Sequence, residues 1–258
     1  MKKKFINRLI FIIGLSVLWE GTVRSGIFPK AERLFPSLVD IFKALAEVTA
    51  SGELFGLMGY SLYLIVLGLF IGLVLALVLS ILAMSSQTIA SFVDTAVTIM
   101  HPLPGIALLP LAILWFGTGQ EPIIFIIVHA ILWPMILNIM AGFKAIPAIY
   151  REVGQNIGLS GPRLAISIML PAAFPYLLAG LKIGWARSWR ALIAAEMIFG
   201  TSGTQGGLGW YIYQQRYFIN VSGVFAALIV IMVIGILIED ILFGLIERKT
   251  VKKWGMIA

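Results

Sequence analysis

From Leu54 to Ser91 the chain carries no charged side chain, and most of that run is Leu, Ile, Val, Phe, Ala or Gly. About 20 mainly apolar residues suffice to cross ~30 Å of hydrocarbon as a helix, so this run alone is longer than one span. Five further stretches qualify, and the set runs approximately 6–23, 57–84, 95–116, 121–142, 173–200 and 219–246. Of the 258 residues 60% are apolar and 12% are charged, half the charge that a soluble domain of this size carries. The expected fold class is an all-α integral membrane protein with six transmembrane helices.

Prolines interrupt the third and fourth stretches at Pro102, Pro104, Pro110 and Pro134. Membrane helices tolerate this where neighbours re-satisfy the freed carbonyls. Basic residues sit at the ends of the apolar stretches, so the formal charge of +7 reads as membrane topology and not as nucleic-acid binding. With both termini cytoplasmic, Lys2, Lys3, Lys4, Arg8, Lys144, Arg151, Arg163, Arg248, Lys249, Lys252 and Lys253 lie inside. Arg24, Lys30, Arg33, Lys43 and Arg216 lie outside. Met1-Lys2-Lys3-Lys4 with the apolar run after it resembles a signal peptide. No A-x-A-like cleavage site follows, however, and a retained first span is expected. The chain has no cysteine and two histidines, His101 and His129, which excludes thiolate chemistry and leaves little for a metal centre.

Two loops are too long for simple connectors. In the outer one Ser37 suits a helix N-cap, and Leu38, Ile41, Phe42 and Leu45 fall on one face of an amphipathic run to Val48. The inner one, 144–172, opens with a helix expected over Ala148 to Ile157. Gly158 is suited to end that helix in the left-handed conformation. Pro162 then suits the first position of a second short helix leading to Pro171, where the fifth span begins.

Glu152-Val153-Gly154, then Gly158, then Ile168-Met169-Leu170-Pro171 resembles the EAA loop of binding-protein-dependent ABC importer permeases. Val153 and Gly154 replace the two alanines, while the Glu, the Gly and the Leu-Pro ending keep the family spacing. Leu103-Pro104 with Leu109 to Gly117, Ala194-Ala195-Glu196-Met197 with Gly206 to Gly209, and Phe35-Pro36-Ser37 are similar to the nitrate/sulfonate/taurine group of these permeases. The resemblance implies a type I importer permease fold in three parts. These are an N-terminal helix and outer segment at 1–55, a transmembrane core at 56–248 holding the coupling loop, and a basic cytoplasmic tail at 249–258. It also implies a bacterial inner-membrane location, a second permease copy, two cytoplasmic ATPase subunits and an extracytoplasmic solute-binding protein. The ATPase-coupling residues would be Tyr150, Arg151, Glu152, Val153, Gly154, Gly158 and Pro171. No G-x-x-x-x-G-K-[ST] occurs, so ATP and Mg belong on the partner ATPase and this chain binds no cofactor and is no enzyme.

Span five holds Lys182, Arg187, Arg190 and Glu196, and Lys182, Trp189 and Glu196 recur every seven residues. Ionisable groups at membrane depth cost about 2.5 kcal/mol or more unless paired or wet. Two readings stand open. In one, Lys182, Arg187, Trp189, Arg190 and Glu196 line a translocation path for a small anion such as nitrate, taurine or an alkanesulfonate. In the other, Lys182 snorkels and Glu196 pairs with an arginine or caps backbone. His101 reads as a helix-end residue and His129 as a packed neutral imidazole. Gly206 to Gly209 reads as a tight outer turn between spans five and six. A secondary transporter or channel would show repeated halves with matching broken helices, and none is found. An intramembrane enzyme would cluster acids and histidines, and Asp94 and Asp240 stand apart.

Overall fold

The computed structural model describes residues 2–25, 34–199, 206–253 and 255, and they form helices joined by short turns. Lys30 and Arg33 of the outer charge set, and the start of the glycine-rich segment after span five, lie outside the described residues. Among the described residues four helices are long and apolar enough to cross a membrane, and two bent helix pairs could each make a further span. The four are α1 (Lys2–Arg24), α3 (Glu53–Ser85), α6 (Glu121–Ala145) and α11 (Val221–Lys249). Helix α11 widens into a π-helical turn over Leu237–Leu242.

The third apolar stretch is not one straight helix. Helix α4 (Gln87–Met100) and helix α5 (Gly105–Phe116) meet at 89°. The elbow between them is His101-Pro102-Leu103-Pro104, where two residues lack the N–H that would carry the helix on. The fifth stretch has a similar break. Helix α8 (Gly161–Ala172) lies at 78° to the long helix α9 (Phe174–Phe199), so the span starts after Pro171 instead of at it.

Helix α6 is the centre of the bundle. It packs against α3 on one side and α9 on the other, and small residues set both contacts. A Cβ on Gly68 or Gly72 of α3 would collide with Ile127 or Ile131, and one on Gly184 of α9 would collide with Ile131. In lipid there is no hydrophobic drive between helices, so close van der Waals approach at small residues is what holds such pairs. Ile127, Ile131, Met135 and Ile139 are fully buried as a result. Pro134 sits inside α6 without breaking it, and Asn138 Nδ2 donates to its carbonyl at 2.8 Å.

The segment after α1 forms α2 (Leu38–Ala50), capped by Ser37, whose Oγ accepts from the Asp40 N–H at 3.2 Å. Ile41 and Val48 are buried and Leu45 is half-buried, whereas Phe42, expected on the same face, is exposed. Helix α2 is tied back to α1: Trp19 Nε1 donates to the Pro36 carbonyl, and the Leu38 N–H donates to Glu20. Gly207-Leu208-Gly209 does not make a bare turn. It opens helix α10 (Leu208–Tyr217), whose Leu208, Tyr211 and Ile212 are buried against the bundle.

Candidate functional site

Helix α7 (Ala148–Asn156) follows α6 directly and carries most of the residues expected to couple to an ATPase. Its ending is a Schellman motif, read from the hydrogen bonds: the Leu159 N–H donates to the Gly154 carbonyl and the Gly158 N–H to that of Gln155, both at 2.9 Å. Gly158 has φ of +81°, a conformation in which a Cβ is strained. Behind α7 lies α8. Gly154 is buried at the crossing, and a Cβ there would meet Leu164 and Ile168. Val153, Ile149, Tyr150 and Ile157 point the other way and are 50 to 68% exposed. Glu152 is exposed beside them, Arg151 edges a polar cleft with Asp94 and Lys144, and Pro171 borders the apolar groove beside Tyr150 and Val153. The result is a short helix seated by one glycine on its inner side, with an apolar face uncovered on the other.

The charged residues of α9 separate into three environments. Lys182 Nζ lies 2.7 Å from a Glu247 carboxylate oxygen on α11, a partner 65 residues away. Glu196 is 1% exposed and lies against α3 and α10. It accepts from the Ser61 hydroxyl at 2.8 Å and from the Gly209 N–H at 2.8 Å, and Ser61 Oγ accepts from the Leu208 N–H. Glu196 thus caps the first turn of α10, and no arginine contacts it among the described residues. Gly207 and Gly209 permit this, since a Cβ on either would overlap Glu196. Trp189 is buried and stacks on Trp185 with centroids 5.6 Å apart.

Arg187 and Arg190 sit elsewhere, beside a cavity of about 260 Å³ that the elbow of α4 and α5 opens against α6 and α9. Arg187 donates to His101 Nδ1 at 3.0 Å and to the His101 carbonyl at 3.3 Å. A guanidinium can only donate, so the ring nitrogen it meets accepts and His101 is neutral there. Arg190 Nε donates to the Ala186 carbonyl and the rest of its side chain is exposed. Neither arginine has a carboxylate within ion-pair distance among the described residues. His129 and Trp133 complete the wall. Sequence reasoning missed Glu247, Ser61 and the cavity role of the two histidines, because the partners are distant in the chain and only packing joins them.

Residues 65–252 match the family described as binding-protein-dependent transport system inner membrane component. The chain is 31% identical over 235 residues to the putative aliphatic sulfonates transport permease protein of Bacillus subtilis, covering 91% of this chain and 83% of that one. It is 33% identical over 190 residues to the taurine transport system permease protein of Escherichia coli, covering 74% and 68%. It is 31% identical over 179 residues to the nitrate import permease protein of Synechocystis, covering 69% and 64%. With its apolar helices and this match over most of its length, the chain belongs to the inner-membrane permeases of binding-protein-dependent ABC importers, in the nitrate/sulfonate/taurine group.

Proposed function

We propose that this chain is the membrane subunit of an importer for a small anion, driven by separate ATPase chains that dock on α7. The observation that carries this reading is the α7 surface. Ile149, Tyr150 and Val153 stand exposed on a nine-residue helix, with Ile157 exposed at its C-cap, and the helix is itself too short and too polar to lie in lipid. An amphipathic helix offering anchors one turn apart is the usual ligand of a protein groove. Tyr150, Arg151, Glu152, Val153, Gly154, Gly158 and Pro171 serve as the coupling set, with Gly154 and Gly158 fixing the pose of the helix and the others meeting the partner. ATP and Mg belong to that partner.

In this account α1, α3, the α4–α5 pair, α6, the α8–α9 pair and α11 make six spans with both termini cytoplasmic. Arg190 also supports a dimer. It lies about 24 Å along α9 from its first residue, near mid-span, and is exposed on the single chain. A guanidinium there does not face hydrocarbon, so this face belongs against a second copy or a watery path between copies. Arg187 and Arg190 line that path. Lys182, Trp189 and Glu196 act as structural members of the same helix. The sulfonate, taurine and nitrate relatives favour a small oxyanion delivered by an extracytoplasmic binding protein.

Val153→Asp tests the coupling role, since Val153 is half exposed and a charge there does not disturb the bundle. In membrane vesicles ATP-dependent oxyanion uptake should fall at least tenfold with normal amounts of protein in the membrane. Unchanged uptake would remove α7 from the coupling path.

A further inference from the structure

Where α3 ends and α4 begins, a cleft of about 530 Å³ opens against the end of α6 and the short helices α7 and α8. Three charged side chains border it: Asp94 from α4, Lys144 from the last turn of α6 and Arg151 from α7. All three are exposed, and none makes an ion pair among the described residues. Arg151 and Gln155 lie one turn apart on the flank of α7 that Ile149 and Val153 leave free. Solvated charges need no partner, so the cleft alone decides little. What adjoins it decides more.

A narrower groove of about 210 Å³ runs on between α4 and α6, sharing Ala90, Asp94, Met140 and Lys144 with the cleft. Val93, Val97, Ile136 and Leu137 make its apolar walls. From Lys144 back to Ile136 the helix covers about 12 Å toward the membrane core. The two cavities together are polar at the end of the span and apolar along it, which is the order of a headgroup and its acyl chain.

Charge selects the headgroup. Lys144 and Arg151 suit the oxygens of a phosphate through charge-assisted hydrogen bonds, and basic pockets between spans on the cytoplasmic side recognise lipid headgroups in this way. Asp94 can only accept. It repels a headgroup that is anionic throughout and suits one that adds a primary ammonium.

We infer that the cleft and groove hold one molecule of phosphatidylethanolamine, with its phosphate between Lys144 and Arg151, its ammonium on Asp94 and an acyl chain along Val93, Val97, Ile136 and Leu137. The inference rests on the orientation proposed above, which puts Lys144 on the cytoplasmic side. A lipid seated there braces α7 on the flank turned from the ATPase, so one helix answers to both.

The test needs neither ATPase nor transported solute, so its failure is separable from failure of the permease reading. The full chain in mild detergent is offered equal amounts of dioctanoyl phosphatidylethanolamine, phosphatidylcholine and phosphatidylglycerol, and retained lipid is identified by native mass spectrometry. Wild type should hold one phosphatidylethanolamine with about tenfold preference, the size of one hydrogen bond to a charged group. Lys144→Gln should weaken that retention about tenfold for the same reason. Asp94→Asn removes the repulsion and should turn the preference toward phosphatidylglycerol, a reversal that general loosening of the fold does not produce. Both positions are exposed and make no ion pair among the described residues, so neither change threatens the fold. Equal retention of the three lipids would mean an unselective annulus, and none retained would leave the cleft to a second copy. Either overturns the proposal, as would variants that bind like wild type. O-Phosphoethanolamine at the same concentration should not compete; competition would make this a site for soluble phosphates and overturn the lipid assignment.

Discussion

At Gly154 a single hydrogen atom in place of a side chain decides how close α7 lies to α8. The atoms a Cβ would meet are the methyl ends of Leu164 and Ile168, which can turn aside, and not backbone. Gly154→Ala should therefore be nearly neutral, the overlap offset by about 0.5–1 kcal/mol of helix preference. The EAA pattern that this loop resembles has alanine at this place. Gly154→Leu has no such escape and should cost about 1–3 kcal/mol by overpacking, with α7 displaced. Thermal unfolding of the two variants in nanodiscs, alongside ATP-dependent uptake, separates them. A Leu variant that melts and transports like wild type would mean that α7 does not seat through this residue. Gly158 was legible from sequence for a related reason. A glycine after a helical run, followed by a polar turn, announces a left-handed end, and φ of +81° is what is found.

At the scale of elements, Glu196 is the joint that holds α10 to α9 and α3. Replacing it with Ala leaves the Gly209 N–H and the Ser61 hydroxyl without their acceptor in a dry site. Each unsatisfied group costs about 1–3 kcal/mol. Glu196→Gln keeps an acceptor oxygen and should lose less than half as much. Chemical or thermal unfolding with both variants checks this, and two variants as stable as wild type would show that the cap contributes nothing. The sequence marked Glu196 as costly at its depth, but its partners Ser61 and Gly209 lie in other elements and no spacing rule joins them. The same limit applies to Lys182 and Glu247. The main spans were legible because continuous apolarity sets them. The bends were half legible: Pro102 and Pro104 signal an interruption, but the 89° turn depends on where α5 finds packing against α6. The helix begun by Leu208 looks like a turn in the sequence, because glycines that serve close approach to Glu196 are indistinguishable there from glycines that serve a reversal.

At the scale of the whole molecule, the parts divide the labour by position. Helix α6 is a fixed post, gripped at glycines by α3 and α9. Helix α7 hangs directly from its end and is braced by α8, which leads at an angle into α9, the helix that carries both arginines of the cavity. A push on α7 therefore reaches the cavity through two short connections and one continuous helix, a path along which two packings can be biased by a partner. That chain of contacts has meaning only if an ATPase grips α7. The chain has no cysteine, so Val153→Cys introduces a unique attachment point on the exposed face for a maleimide–benzophenone cross-linker. Photolysis of the complex purified from its own membranes, with the product identified by mass spectrometry, is the most direct measurement. The account predicts a cross-link to a subunit bearing a G-x-x-x-x-G-K-[ST] loop, with a yield that changes when ATP and vanadate are added. A correctly folded permease that cross-links only to lipid or to its own copies, with no ATPase travelling with it, would contradict the account.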